Sequence, residues 1–201
     1  MSASSHAHRY LEEVQAIAAA IDADRVERIA ALLAAIRDDG GRLFFLGVGG
    51  GAAQASHAAA DFRTIAGMEC YAPTDNVAEL TARINDHGWD SSYAQWLRGS
   101  RLGPRDAVFV FSVGGGSVEP RVSVNLVAGL ELAREVGARI LGVVGRDGGV
   151  TARMADACLI VPLVNLGAVT PHTEEFQAVL SHLLVTHPRL RRNEMKWESE
   201  R

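Results

Sequence analysis

The sequence is poor in most of the features that would give a protein away. It has only two cysteines, Cys70 and Cys158, set far apart in apolar runs. Such a pair reads as buried thiols rather than a disulfide framework, which fits a reducing cytoplasm. No charge of one sign dominates: 20 Lys and Arg stand against 24 Asp and Glu, a net charge of -4. That balance gives no general pull on nucleic acid or anionic lipid, and the basic cluster Arg189, Arg191 and Arg192 reads as solvated tail. No apolar run is long enough to span a bilayer, so no membrane association is expected, and the opening MSASSHAHRYLEE has no apolar core of a secretory signal. Internal repeats and low-complexity linkers are missing too. What remains is an ordinary globular composition, 48% hydrophobic and 22% charged over 201 residues. That suffices for one domain, residues 1–201, with a full core.

The chain is organised around Arg42 to Arg63, RLFFLGVGGGAAQASHAAADFR. A short apolar run breaks at Gly47 and Gly49 to Gly51 and continues Ala-rich: strand, tight glycine turn, helix. Free N–H groups at such a helix start suit an anion. Ahead of it, apolar spacings of three and four predict two helices within residues 8–39, the second capped by Asp24. Behind it, a short strand is expected over 68–73, loop and helix over 75–84, a turn at Asn85-Asp86-His87-Gly88, and helical pattern over 89–102. Apolar strands are expected over 107–113, 138–144 and 157–164, with a helix over 122–136 between the first two. A last helix is expected over about 173–187, before a short tail, 188–201. Short, almost wholly apolar strands separated by helices predict an α/β layered domain with a parallel sheet buried on both faces. Its polar groups belong at the carboxyl ends of the strands, where both glycine clusters, 49–51 and 114–116, fall.

Four residues carry the chemistry: His57, Asp61, Glu174 and His182. His57 and Asp61 lie one helical turn apart on the helix after the first strand; the other two lie on the last helix. Imidazole with carboxylate is an ordinary ligand set for zinc or a similar divalent ion. It is equally an acid–base pair for moving a proton beside a carbonyl, or simply a core histidine with surface carboxylates. Glu174 and His182 are eight residues apart, about 12 Å of helical rise, so both reach one ion only if extended, or one serves a neighbouring subunit. The second glycine cluster, Ser112-Val113-Gly114-Gly115-Gly116-Ser117, suits a phosphate but contains no lysine or arginine; Arg121 or Arg146 would have to supply the charge. It is neither a nucleotide-type phosphate loop nor, with the first cluster, a dinucleotide fingerprint.

Taken together, the glycine turn at 47–51, His57 with Asp61, Asn85-Asp86, the loop at 112–117, Asp147-Gly148-Gly149, and Glu174-Glu175 with His182 beyond them resemble the sugar isomerase (SIS) domain family. Within it they are most similar to the phosphoheptose isomerase group, over nearly the whole chain. The resemblance implies a three-layer sandwich with a five-stranded parallel sheet in flavodoxin-like order, preceded by the two N-terminal helices. It implies conversion of sedoheptulose 7-phosphate to heptose 7-phosphate through an enediol, a homotetramer with active sites between subunits, and zinc in the site. By the same resemblance His57, Asp61, Glu174 and His182 are metal ligands, with Asp61 and His182 catalytic. Gly49, Gly50, Gly51, Asn85, Asp86, Ser112, Gly114, Gly115, Ser117 and Glu174 would bind substrate.

The sequence departs from that group at several of these positions. Asp61 replaces a glutamate and Glu174 a glutamine. Val48 and Gly51 replace Asn and Ser in the first glycine turn, and Val113 and Gly114 replace Thr and Ser in the phosphate loop. Lost hydroxyl donors weaken phosphate binding unless backbone N–H groups or a basic residue compensate. These departures leave two rival readings open: an isomerase for a different phosphosugar, and a non-catalytic SIS-domain protein that binds a sugar phosphate or a protein partner.

Overall fold

The structure, a computed structural model, describes residues 5–195. Its apolar runs form the five strands β1 (Leu43–Gly47), β2 (Cys70–Tyr71), β3 (Ala107–Ser112), β4 (Arg139–Val144) and β5 (Ala157–Ile160). They make one parallel sheet in the order β2-β1-β3-β4-β5, the flavodoxin-like arrangement expected. Side chains on a strand alternate between its two faces, and here both faces are covered. Leu43, Phe45, Phe109, Phe111, Leu141 and Val143 enter one core; Phe44, Leu46, Val108, Val110 and Ile140 enter the other. The first core is closed by α2 (Ala23–Asp38), α3 (Gly50–Thr64) and α8 (Val169–Val185). The second is closed by α5 (Ser92–Gly99), α6 (Val124–Glu135) and α7 (Gly149–Met154). The remaining helices contribute little: α1 (His6–Ala20) buries only Ile17 and α4 (Val77–His87) buries nothing.

Carboxylates fasten the amino end of the sheet. Asp106, ahead of β3, accepts from the Arg42 backbone N–H at 2.9 Å, the Arg42 guanidinium at 2.7 Å and the Gly103 N–H at 2.9 Å. Burial alone would raise its pKa, but these donors hold the carboxyl below the ordinary carboxylate range. Asp156, ahead of β5, likewise accepts from Arg139 at 2.8 Å and from the Ile140 N–H at 2.9 Å. Both cysteines are free and buried, and burial pushes their thiols up, that of Cys158 to about 12.

Several local expectations are corrected. Asp22, not Asp24, caps α2, accepting from the Arg25 N–H at 3.1 Å. The stretch Asn85-Asp86-His87 is the last turn of α4, and only Gly88 leaves the helix, at φ 78°. The strand expected over 68–73 shrinks to Cys70–Tyr71, because Pro73 opens a 3-10 turn. The last strand ends at Ile160, and the short helix α7 occupies a glycine-led stretch whose composition suggests loop. The last helix starts at Val169 rather than Thr173, with Pro171 in its first turn, where a missing N–H costs nothing. Arg189, Arg191 and Arg192 are exposed, yet the segment is docked. Leu190 is buried, Arg37 donates to its carbonyl at 2.7 Å, and Arg192 pairs with Asp38 at 2.9 Å. Residues 196–201 of the expected tail lie outside the described residues. Among the described residues no helix is long and apolar enough to cross a membrane.

Candidate active site

At the carboxyl end of the sheet β1 runs into the glycine turn and α3 leaves it. Gly49 is the N-cap, at φ 60° and ψ -125°, a conformation open to glycine and strained for other residues. Gly51 serves close approach instead: a Cβ there would lie 2.4 Å from the Phe111 carbonyl oxygen. A serine hydroxyl in its place is therefore excluded by packing on β3. Among the described residues no side chain caps this helix start. Beside it opens a cavity of about 580 Å³, lined by Gly49, Gly50, Ser112, Gly114, Ser117, Arg146, Asp147 and Glu174.

The second glycine loop is wired to the start of α7. The Val150 and Thr151 N–H groups donate to the Gly116 and Gly115 carbonyls at 3.0 and 2.9 Å, and the Thr151 hydroxyl adds a 2.7 Å bond to Gly115. The N-terminus of α7 is thus used internally. Ser112 accepts from the Gly115 N–H at 3.0 Å, which leaves its own hydroxyl hydrogen free to donate. Residues 117–122 close into a small loop through paired Ser117 and Val122 backbone groups. Arg121 on that loop is paired with Asp90, so Arg146 is the cation that lines the cavity, against Glu119, Asp147 and Glu174.

Two helical turns down α3, His57 and Asp61 meet His182 of α8. The His57 Nε2 lies 3.3 Å from Asp61 Oδ2, His182 Nε2 lies 3.5 Å from that same oxygen, and the two Nε2 atoms are 3.5 Å apart. These are long for hydrogen bonds but match ligands of one ion: two atoms each about 2.1 Å from a tetrahedral centre sit about 3.4 Å apart. Two imidazole nitrogens and a carboxylate oxygen are also the right donors for zinc. The donor set and spacing of the three residues fit a divalent metal, which His57, Asp61 and His182 would hold. The Asp61 side chain is 22% exposed while those of His57 and His182 are 56% and 46% exposed, so the triangle faces outward from the chain.

Glu174 does not join this group. Its carboxyl lies flat over Gly50, where a Cβ would come within 2.3 Å of it. Eight residues of helix separate it from His182, so the four-ligand set divides into a triangle and a carboxylate at the cavity. Asn85 and Asp86 are exposed on α4, bonded to each other at 2.9 Å, and do not line the cavity. Thr170 and Arg146 line it. The sequence marks Arg146 only as a possible charge, and it hides Thr170 because Pro171 masks the helix start on which Thr170 sits.

This chain has relatives among known proteins. The SIS domain family model matches residues 9–145. A phosphoheptose isomerase of Solidesulfovibrio magneticus is 33% identical over 183 residues, covering 87% of this chain and 84% of the relative. The structure of a phosphoheptose isomerase from Neisseria gonorrhoeae superposes with a TM-score of 0.75 at 27% identity, over 89% of this chain and 94% of that one. One from Francisella tularensis, at 21% identity and a TM-score of 0.77 over 92% and 97%, shares the fold. With a family model matched over more than half its length and a relative of this similarity, the chain belongs to the SIS domain family, within its phosphoheptose isomerase group.

Proposed function

We propose that this protein is an aldose–ketose isomerase of phosphorylated sugars, converting sedoheptulose 7-phosphate to heptose 7-phosphate through an enediol. The observation that carries the reading is the separation of the two polar centres along α3 and α8. Gly50 and Glu174 mark the cavity end and His57 and His182 the other, seven or eight residues away, about 10–12 Å of helix. An extended seven-carbon chain, six C–C bonds of about 1.5 Å in a zigzag plus the phosphoester, reaches about 10 Å. A phosphate at the cavity thus brings C1 and C2 to Asp61 and His182.

Isomerisation removes a proton from C1, forms the enediol across C1 and C2, and returns a proton to C2. Asp61 and His182 supply the acid–base pair, one acting at carbon and the other moving a proton between the oxygens. His57, Asp61 and His182 would hold a zinc or other divalent ion, which when bound polarises the sugar carbonyl. Ser112, Ser117, Arg146 and the backbone around Gly49–Gly51 and Gly114 bind the phosphate end, and Glu174 accepts from sugar hydroxyls; Gly115, whose N–H and carbonyl are taken by Ser112 and Thr151, only shapes the loop. The outward-facing triangle, with Val179 51% and Leu183 41% exposed on the same helix, supports a homotetramer with its sites between subunits. The buried free thiols fit a cytoplasmic protein.

The test is isomerisation of sedoheptulose 7-phosphate by metal-stripped protein, with and without zinc, beside Asp61→Asn and His182→Gln. Zinc-dependent turnover lost in both variants is expected. A second reading, phosphosugar binding without turnover, draws on the cavity, whose lining holds Ser112, Ser117 and Arg146 but none of His57, Asp61 and His182. Thermal stabilisation by the sugar phosphate with no isomerisation would favour it and overturn the enzyme.

A further inference from the structure

His172 and the groups around it belong to neither polar centre. His172 is 3% exposed, on the first turns of α8, and its ring lies between two carboxylates: Nε2 is 2.7 Å from Glu13 and Nδ1 is 3.4 Å from Glu175. The other Glu13 oxygen accepts from the Asn165 amide at 2.7 Å, in the turn that leads into α8. Tyr10 donates to Glu175 and stands 4.5 Å from the His172 ring, centroid to centroid. Tyr10 and Glu13 both come from α1, a helix that buries a single apolar residue, Ile17, and packs Val14 partly against the core. The start of α8 has no side-chain cap of its own among the described residues. Those same turns of α8 present Thr170 and Glu174 to the cavity on their other side.

We propose that His172 is a positioning residue. Clamped by Glu13, it holds the first turns of α8 so that Glu174 stays seated over Gly50 and Thr170 stays at the cavity wall. The N-terminal helix thereby sets how well the cavity receives its substrate. The claim about substrate rests on the isomerase reading; the claim about geometry does not. A buried imidazole of α8 bonded to a carboxylate of α1, with Tyr10 of α1 bonded to Glu175 of α8, fixes the mutual position of the two helices more tightly than an apolar contact of the same area, because hydrogen bonds are directional.

Two measurements on the full chain test this. His172→Phe keeps the ring against Tyr10 and removes the hydrogen bond to Glu13; Glu13→Gln keeps the shape and removes the charge and one acceptor. Amide hydrogen exchange over residues 173–177, whose N–H groups close the first turns of α8, should accelerate about tenfold or more in both variants while α2 and α3 keep their protection. In sedoheptulose 7-phosphate kinetics, KM should rise about tenfold with kcat within about twofold, and in a Glu174→Ala background the same substitution should raise KM only about twofold. Unchanged exchange over 173–177 overturns the positioning role. An equal rise in KM in both backgrounds overturns its action through Glu174. Wild-type protein that does not turn over the sugar phosphate defeats the isomerase reading alone, and the exchange data still decide the clamp.

Discussion

The two ends of the sheet use their polar side chains in opposite ways. At the amino end Asp106 and Asp156 are consumed by backbone N–H groups and arginines, and they join successive strands. At the carboxyl end Asp147 and Glu174 line a cavity beside the glycine turns, while Asp61, about three turns down α3, faces a pair of histidines. A carboxylate with all its donors supplied contributes stability; one aimed at open space contributes chemistry. For Asp106 and Asp156 against Asp147 and Glu174, the same residue types thus differ in their partners by which end of a strand they adjoin.

Substitutions on each side should separate the two roles. The largest effect is expected at the site: Asp61→Asn or His182→Gln should lower kcat/KM by about a thousandfold, while chemical denaturation shows a change under about 1 kcal/mol. Next comes the scaffold. Asp106→Asn leaves the partly buried Arg42 guanidinium without its counter-charge and should cost about 3 kcal/mol in urea unfolding, with KM unchanged. The sign with pH comes from the lowered pKa of Asp106: its contribution is full above the ordinary value of 3.8 and is lost as pH falls through the folded-state pKa. Wild-type stability should therefore drop more steeply below about pH 4 than that of Asp106→Asn, as unfolding curves across the acid range would show. A smaller effect is expected at Gly50→Ala, which pushes Glu174 off its seat: KM should rise about tenfold through a lost hydrogen bond to a charged group, with the fold intact. The smallest belongs to Arg139→Ala, an exposed partner of Asp156, at no more than about 1 kcal/mol. A large loss of activity in Asp106→Asn at full folding would break the division between the ends.

The sheet was legible because strands covered on both faces need apolar residues at every position, as in Ala107 to Phe111. Helix ends were less so. Asp22 and Asp24 are chemically alike, and only the backbone of Asp22 leaves it free to cap. The turn residues Asn85 and Asp86 are tolerated in a last helical turn because Gly88 ends it. Of the candidate site, His57 and Asp61 were paired by helical periodicity alone. That His182 completes their triangle while Glu174 does not depends on how α3 and α8 lie against each other, which no local pattern records.

Gly50 faces Glu174 and His57 faces His182, so the two helices leave the same end of the sheet and run side by side. They work as a ruler whose graduations are residues. A single insertion between the marks on either helix turns the rest of that helix by about 100° and unpairs one mark from the other. A whole turn added to both would keep the pairs and lengthen the interval by about 5.4 Å. On the proposed function, the size of molecule that spans the two centres follows from a count of helical residues, and a longer or shorter substrate calls for a change in both helices at once.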